Sequence, residues 1–347
     1  MAPKISVIMA AHNSERHLRE SVEGILDQTY ADFEFIIVED GSTDRTWNVL
    51  TEYADRDRRI VLAQNKENLG LTKSLNRGLD LAQGKYIARQ DADDVSLPER
   101  LDMQVSFLER NVHIGLLGTA YYVVDSKGRR TGLHRHPETD TEIRWQMLFH
   151  NAFCHTSVMF CRDVLDTAAL FYDEALDYSQ DYELWIRMLR RTCAANFKTP
   201  LVEWRKSDGA ISYVRREEQQ RTASMISAKQ VNRLFPLKSI SFPETEKLRE
   251  FYHSFPQRQD AQHLRLSRQL VEILRAFAGQ QGLDQAILKQ IITRWTDRVL
   301  STLIVSRKWD AQTVGILLGL FRMNAFTVLL CLAGQAKRGL KSEVIVE

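Results

Sequence analysis

The sequence predicts an α/β protein with a doubly wound, mostly parallel sheet and a helical C-terminal extension. Three observations predict it. Continuous apolar runs alternate with helix-period segments through the first part of the chain, the pattern of parallel strands covered on both faces. Acidic residues stand where two of those runs end, at Asp40 and at Asp91, Asp93 and Asp94, and such sheets bind ligands outside the carboxyl ends of their strands. The charge is also divided. Residues 1–200 carry 24 Lys/Arg against 31 Asp/Glu, and residues 201–347 carry 23 against 14, so an acidic front precedes a basic rear. A chain of 347 residues fits two domains, or one large domain with an extension.

Residues 4–11 (KISVIMAA) form the first buried strand, and Asn13 or Ser14 is the expected cap of a helix carrying Leu18, Val22, Ile25 and Leu26 on one stripe. Residues 33–38 (FEFIIV) are the second strand, followed by a turn at 39–44 and a helix from near Thr43. Residues 60–63 are the third strand. A loop at 65–70 leads to a helix through Leu71, Leu75, Leu79 and Ala82, which Gly84 is expected to end. The fourth strand covers 86–88. Past Pro98 a helix carries Leu101, Val105 and Leu108. Residues 115–124 and 156–160 read as strands, 144–150 as a short helix, and 182–190 as an amphipathic helix with Leu184, Trp185, Met188 and Leu189 inward. Asp181 stands where it would cap that last helix.

The segment Gln90-Asp91-Ala92-Asp93-Asp94 sets three carboxylates within four residues at a strand end. Their mutual repulsion calls for a positive partner, and a hard divalent cation shared with a phosphate supplies one; a solvated acidic turn is the alternative. No GxGxxG follows the first strand and no GxxxxGK[ST] occurs, which argues against dinucleotide-binding and P-loop chemistry. Cys154, Cys161, Cys193 and Cys331 lack CxxC spacing and read as reduced thiols of a cytosolic protein. Residues 1–4 carry no sign of a secretory leader. Basic residues in the rear are dispersed without interleaved aromatics, so nucleic acid is not an expected partner.

Five segments in order, SVIMAAHNSERHL, VEDGSTDRT, NKENLGLTKSLNRGL, ARQDADD and SQDYELWIRM, resemble the inverting family-2 glycosyltransferases of GT-A fold, of the bacterial surface-polysaccharide type. The resemblance covers residues 4–215. It implies that Ala10, Ala11, His12 and Asn13 cradle a nucleotide and that Asp40 meets its base, usually uracil. It implies that Asp91-Ala92-Asp93 is the DxD motif, with Asp91 reaching the ribose and Asp93 holding Mn²⁺ or Mg²⁺ on the diphosphate. Asp181 matches the catalytic base of the family's "ED" pair, with Gln180 in place of the usual glutamate. Asn68 and Gly70 belong to the donor loop or only form its turn. His155 meets the acceptor or a phosphate, or is structural. Arg205 matches a segment that closes over the donor phosphates, where Ser207 replaces a frequent histidine.

Behind this region, helices are expected at 216–234, 244–255, 261–278, 284–305 and 311–333. The apolar stretches 314–321 and 325–333 are interrupted by Arg322 and Asn324, too costly for a membrane span. With Lys337, Arg338 and Lys341 they suit an anionic membrane surface, or else pack as a subdomain or homo-oligomer contact. The expected function is metal-dependent, inverting transfer from a nucleotide-sugar donor, UDP-linked, to a saccharide or lipid-linked saccharide acceptor at the inner face of the cell membrane. The alternative is a non-catalytic, partner-binding protein on the same fold.

Overall fold

The computed structural model describes residues 2–166, 171–206, 215–235, 239–253 and 261–282. β1 (Ile5–Ala11) lies at the heart of its parallel half and is buried at every position but Ala10. β2 (Phe33–Asp40) pairs parallel to it from Ile5 opposite Phe33 to Ala11 opposite Glu39. β4 (Tyr86–Arg89) pairs on its other side, and β3 (Ile60–Asn65) extends beyond β2, both parallel. The connecting helices are α1 (Leu18–Leu26), α2 (Thr46–Ala54) and α3 (Leu71–Leu81). The side-chain period of two divides β1 between two cores. Ile5, Val7 and Met9 pack with Val22 and Ile25 of α1, and with Leu101 and Val105 of α4 (Arg100–Arg110). Ile8 packs with Leu75 and Leu79 of α3, and with Leu184 and Trp185 of α7 (Gln180–Met188). Helices on both faces make the sheet doubly wound, as predicted.

Beyond β4 the sheet becomes mixed. β5 (Val95–Ser96), β6 (Ile114–Val124), β7 (Arg130–His134), β8 (Met159–Cys161) and β9 (Cys193–Arg205) complete it, in the order β3-β2-β1-β4-β8-β6-β9-β5 with β7 paired to β6. β8 is antiparallel to β4 and β6, whereas β9 runs parallel to β6. Two short helices, α5 (Asp140–Gln146) and α6 (Arg162–Asp166), flank this half.

Several local expectations are corrected. Neither Asn13 nor Ser14 caps α1. Asn13 adopts φ +48° and its Oδ1 accepts the Thr43 N–H at 2.8 Å, so that loop is tied to β2 and the helix begins later, at Leu18. α2 begins at Thr46, because the Asp44 carboxylate accepts the Thr46 N–H and holds 43–45 as a turn. Gly84 does not end α3, whose last residue is Leu81; a Cβ on Gly84 would lie 2.4 Å from the Ser6 nitrogen, so glycine is required by close approach to β1. The expected strand at 156–160 is a 3₁₀ turn, His155–Ser157, followed by β8. Ser179, at φ +57°, is the cap residue of α7, and Asp181 stands in its first turn.

The chain forms two compact units, the first Met1–Ile226. α8 (Arg216–Arg233) lies within the helix expected at 216–234, whereas α9 (Phe242–His253) begins two residues before the one expected at 244–255 and α10 (Ala261–Gln281) runs three residues past the one expected at 261–278. In the second unit Leu248 and Phe251 of α9 and Leu270, Ile273 and Phe277 of α10 are buried. Among the described residues no helix is long and apolar enough to cross a membrane. Ser207, Cys331 and the stretches read at 284–305, 311–333 and 337–341 lie outside the described residues.

Candidate active site

The acidic motif leaves β4 at its C-terminal end, beside the end of β1, where the Gln90 N–H donates to the Ile8 carbonyl at 3.0 Å. Arg89, buried in the sheet, donates to Asp91 Oδ1 at 2.5 Å, and the Asp91 N–H donates to Thr156 Oγ1. Asp94 turns inward. Its Oδ1 accepts the Arg205 N–H at 2.7 Å, and its carbonyl accepts from Ser21 and Gln90. Burial, then the charges of Asp93 and Asp91, push its pKa well above the usual carboxylate range. The Asp93 carboxylate accepts no hydrogen bond from another described residue and makes no ion pair with one. Burial, then Asp91, push it up to about 6.

Arg205, at the end of β9, is nearly sealed from solvent. Its Nε donates to the Asp93 carbonyl at 2.9 Å, Nη1 to the Asp125 carbonyl at 3.4 Å, and Nη2 to Glu20 of α1 at 2.5 Å. A guanidinium divided among these acceptors braces the acidic loop from behind.

The residues expected to cradle a nucleotide form one hydrogen-bonded unit at the adjacent strand ends. The Asp40 carboxylate accepts from Asn65 Nδ2 at 2.7 Å and from the Leu69 and Gly70 N–H groups, both at 2.9 Å. His12 Nδ1 lies 2.8 Å from the Asp40 carbonyl, which only accepts, so Nδ1 carries the proton. Nε2 then accepts from Asn68 at 3.0 Å and Asn13 at 3.1 Å. Gly41 permits this closure. At φ +63° a Cβ there would lie 2.4 Å from the Glu67 carbonyl carbon. Ala10 and Ala11 are the last residues of β1 beneath this unit.

Asp181 approaches from α7, and its Oδ2 accepts from Asn151 Nδ2 at 2.7 Å. His155 Nε2 lies 2.9 Å from the Tyr172 hydroxyl, and its ring packs 6.1 Å from that of Trp185. Burial, then Arg89, lower the pKa of His155, while Asp181 and Asp91 oppose them. Tyr172 feels the same three charges, with burial the largest influence and raising it. The acidic loop and Asp181 therefore act on one pair of side chains. Sequence reasoning missed Arg89, Asn151 and Tyr172; an arginine two residues before the first motif aspartate was the available signal for Arg89.

A ring cluster stands on the neighbouring strands. Tyr121 packs 5.0 Å from His134, 5.9 Å from His136 and 6.2 Å from Trp204, centroid to centroid. Both ring nitrogens of His136 are buried without a hydrogen-bond partner among the described residues, and burial, then His134, push its pKa down to about 3. An unfolded histidine titrates near ~6.5. Between those values the unfolded chain holds a proton that the folded chain refuses, so stability falls as pH drops through the window. His136→Phe is expected to flatten that slope, read as the change in urea midpoint between pH 7 and pH 4.5. An unaltered slope would place the acid sensitivity elsewhere.

Residues 6–168 match the profile described as Glycosyl transferase family 2. An uncharacterized glycosyltransferase of Haemophilus influenzae is 34% identical over 263 residues, spanning 72% of this chain and 81% of that protein. The O-antigen biosynthesis glycosyltransferase WbnJ of Escherichia coli is 33% identical over 186 residues, 53% of this chain and 71% of WbnJ. Among solved structures, S. aureus TarS 1-349 in complex with UDP-GlcNAc is similar at TM-score 0.56 and 19% identity, covering 79% of this chain and 81% of that one. The mannosyltransferase PcManGT of Pyrobaculum calidifontis, in complex with GDP-Man and Mn²⁺, is similar at TM-score 0.51 and 14% identity, covering 94% and 88%. These structural likenesses establish the GT-A fold. The extent of identity to the Haemophilus protein settles the wider question: this chain belongs to glycosyl transferase family 2.

Proposed function

We propose that this glycosyltransferase moves a sugar, with inversion, from a nucleotide-diphosphate donor, a UDP-sugar, to a hydroxyl of a saccharide acceptor carried on a lipid, in surface polysaccharide synthesis. The observation that carries the reading is the acidic loop at the end of β4, where Arg89 holds Asp91 and Arg205 bonds the Asp93 carbonyl, beside the hydrogen-bonded unit of Asp40, His12 and Asn68 at the neighbouring strand ends. Relatives named for O-antigen and amylovoran biosynthesis support the polysaccharide setting, and TarS binds UDP-GlcNAc on the same fold.

The acidic loop fits a hard divalent cation. An unpaired, crowded carboxylate at Asp93 with Asp91 beside it offers oxygen donors of the right kind. Among the described residues no group of three or more acidic, His or Cys side chains could hold a metal ion, so substrate phosphate oxygens would have to complete the shell. When bound, Mn²⁺ or Mg²⁺ would supply Lewis-acid stabilisation of the diphosphate leaving group.

The chain's own residues supply the rest. Arg89 and Arg205 hold the loop in place, and the 12–13 and 65–70 loops offer the nucleotide a preorganised floor. Asp181 takes the acceptor hydroxyl proton as the oxygen's electron pair forms the bond to the anomeric carbon, and the diphosphate departs with the electrons of the broken bond. One such displacement inverts the centre, and no second carboxylate is needed as a covalent nucleophile. The proposal includes a cytoplasmic location against the inner membrane face, supported by the apolar stretches and Lys337, Arg338 and Lys341.

A donor panel of UDP- and GDP-sugars, scored for nucleotide release with Mn²⁺ and with EDTA, tests the reading. Release from at least one donor, abolished by EDTA, is expected. Silence across the panel would overturn the catalytic reading in favour of partner binding.

A further inference from the structure

The loop after α5 carries a side chain that neither the motif pattern nor the proposed chemistry assigns. Asn151 Nδ2 donates to Asp181 Oδ2 at 2.7 Å, across 30 residues of sequence. Its amide has one workable orientation, because Oδ1 accepts the Phe153 N–H at 3.2 Å. Reversing the amide would set oxygen against carboxylate and an NH₂ against an N–H, losing both bonds.

The loop is itself fixed from several sides. Gln146 Nε2 donates to the Asn151 carbonyl at 3.2 Å, Asn196 Nδ2 donates to the Ala152 carbonyl at 3.0 Å, and Ala152 and Phe153 are buried. Asp181 is held as firmly on its helix, where the Tyr182 hydroxyl donates to the Met147 carbonyl at 2.8 Å and Trp185 is wholly buried. Both ends of the contact are therefore rigid.

We infer that Asn151 is the positioning residue for the base: it occupies Oδ2 of Asp181, fixes the carboxylate plane, and leaves Oδ1 as the atom that receives the acceptor proton. This rests on the reading of Asp181 as base. A carboxylate free to rotate presents either oxygen, and misplacement of a reacting group is costly in rate. A neutral donor suits the task. It orients the carboxylate without the full positive charge that an arginine or lysine would set beside a base, which would weaken its hold on a proton. Among the described residues, His155 of the 3₁₀ turn and Tyr172 of the segment before α7 feel the charge of Asp181 together with those of Arg89 and Asp91.

Two variants test the inference, one readout needing no substrate. Asn151→Asp places a second carboxyl group against Asp181, and the pair holds a shared proton. Its folded form then binds a proton more tightly than its unfolded form. The melting-temperature deficit of Asn151→Asp against wild type should thus widen as pH rises from 4.5 to 7.5. Adding Asp181→Asn should remove that widening. In turnover, Asn151→Ala should lower kcat by roughly 10- to 100-fold with donor KM little changed. Asn151→Asp should regain roughly tenfold of its deficit at pH 5.5, where its protonated carboxyl donates as the amide does. A deficit constant with pH, or wild-type kcat in Asn151→Ala, overturns the inference while leaving Asp181 as base. Full activity in Asp181→Asn instead removes the base reading, and the coupling measured by melting still shows whether the contact exists.

Discussion

Replacing Asp181 with asparagine should lower sugar transfer by on the order of 10²- to 10⁴-fold while leaving UDP affinity unchanged. The substitution is nearly isosteric, and the new amide presents the same volume to the surrounding helix and loop. What it loses is the capacity to take a proton. The residues proposed for the donor side are elsewhere: Asp40, His12 and Asn68 are bonded among themselves at the ends of β1 and β2, and Asp91 is held by Arg89. Nothing in those contacts passes through Asp181. Calorimetric titration with UDP and Mn²⁺ reads binding, and steady-state nucleotide release in the presence of acceptor reads transfer. Equal losses in both would mean that Asp181 organises the donor site; a transfer rate within about threefold of wild type would retire it as base.

Arg100→Met should destabilise the first unit by about 3–5 kcal/mol. Arg100, the first residue of α4, is fully buried. It donates to Gln104 at 3.1 Å, Gln90 at 3.2 Å, Ser96 at 2.7 Å, the Arg89 carbonyl at 2.8 Å and the Val158 carbonyl at 3.1 Å. Burial pushes its pKa down to about 9, which still leaves it charged at neutral pH. Methionine fills most of the space but serves none of these acceptors; the Val158 carbonyl keeps the Arg89 N–H and the Gln90 amide oxygen keeps the Ser96 hydroxyl, so the loss falls on the Arg89 carbonyl and the Gln104 amide oxygen, and an acceptor stranded in the dry interior costs about 1–3 kcal/mol. Relief of the buried charge offsets part of that. For a unit of this size the melting temperature should fall by roughly 8–15 °C. Arg100→Lys should recover only part of the loss, since one ammonium cannot span the same set of acceptors as the guanidinium fork. Chemical denaturation of both variants decides the matter, and a loss below about 1 kcal/mol in Arg100→Met would show the acceptors satisfied by other means.

In the parallel half β1, β2 and β4 were legible because each is buried on both faces, and such strands write themselves as unbroken apolar runs; the edge strand β3 is only partly buried. β9 escaped for the opposite reason. Lys198, Thr199 and Pro200 interrupt it, and its register against β6 slips at Thr119, Ala120 and Tyr121. β7 is exposed along its whole length and carries no alternation to read. For the candidate site, residue type singled out Asp40, Asp91, Asp93 and Asp181, since carboxylates at strand and helix ends are conspicuous. It did not locate Asn151, because a loop asparagine is commonplace and its meaning lies in a partner 30 residues away. Motif position alone sends Arg205 over a phosphate, whereas burial and three acceptors give it a bracing position. One-dimensional order shows which residues are near a strand end, and does not show which way a long side chain turns.

The bond from Arg205 to Asp94 joins positions 111 residues apart, and that to Glu20 joins positions 185 apart. On the ribosome, β1 to β4 are available to pair long before β9 has emerged. The early sheet can therefore form while the DxD segment still lacks its brace, and contacts of such separation are slow to close. Competence of the enzyme is then acquired late in synthesis, by arrival of the strand that ends at Arg205. A chain interrupted ahead of that strand would contain the residues of the Asp40, His12 and Asn68 unit and lack a finished acidic loop.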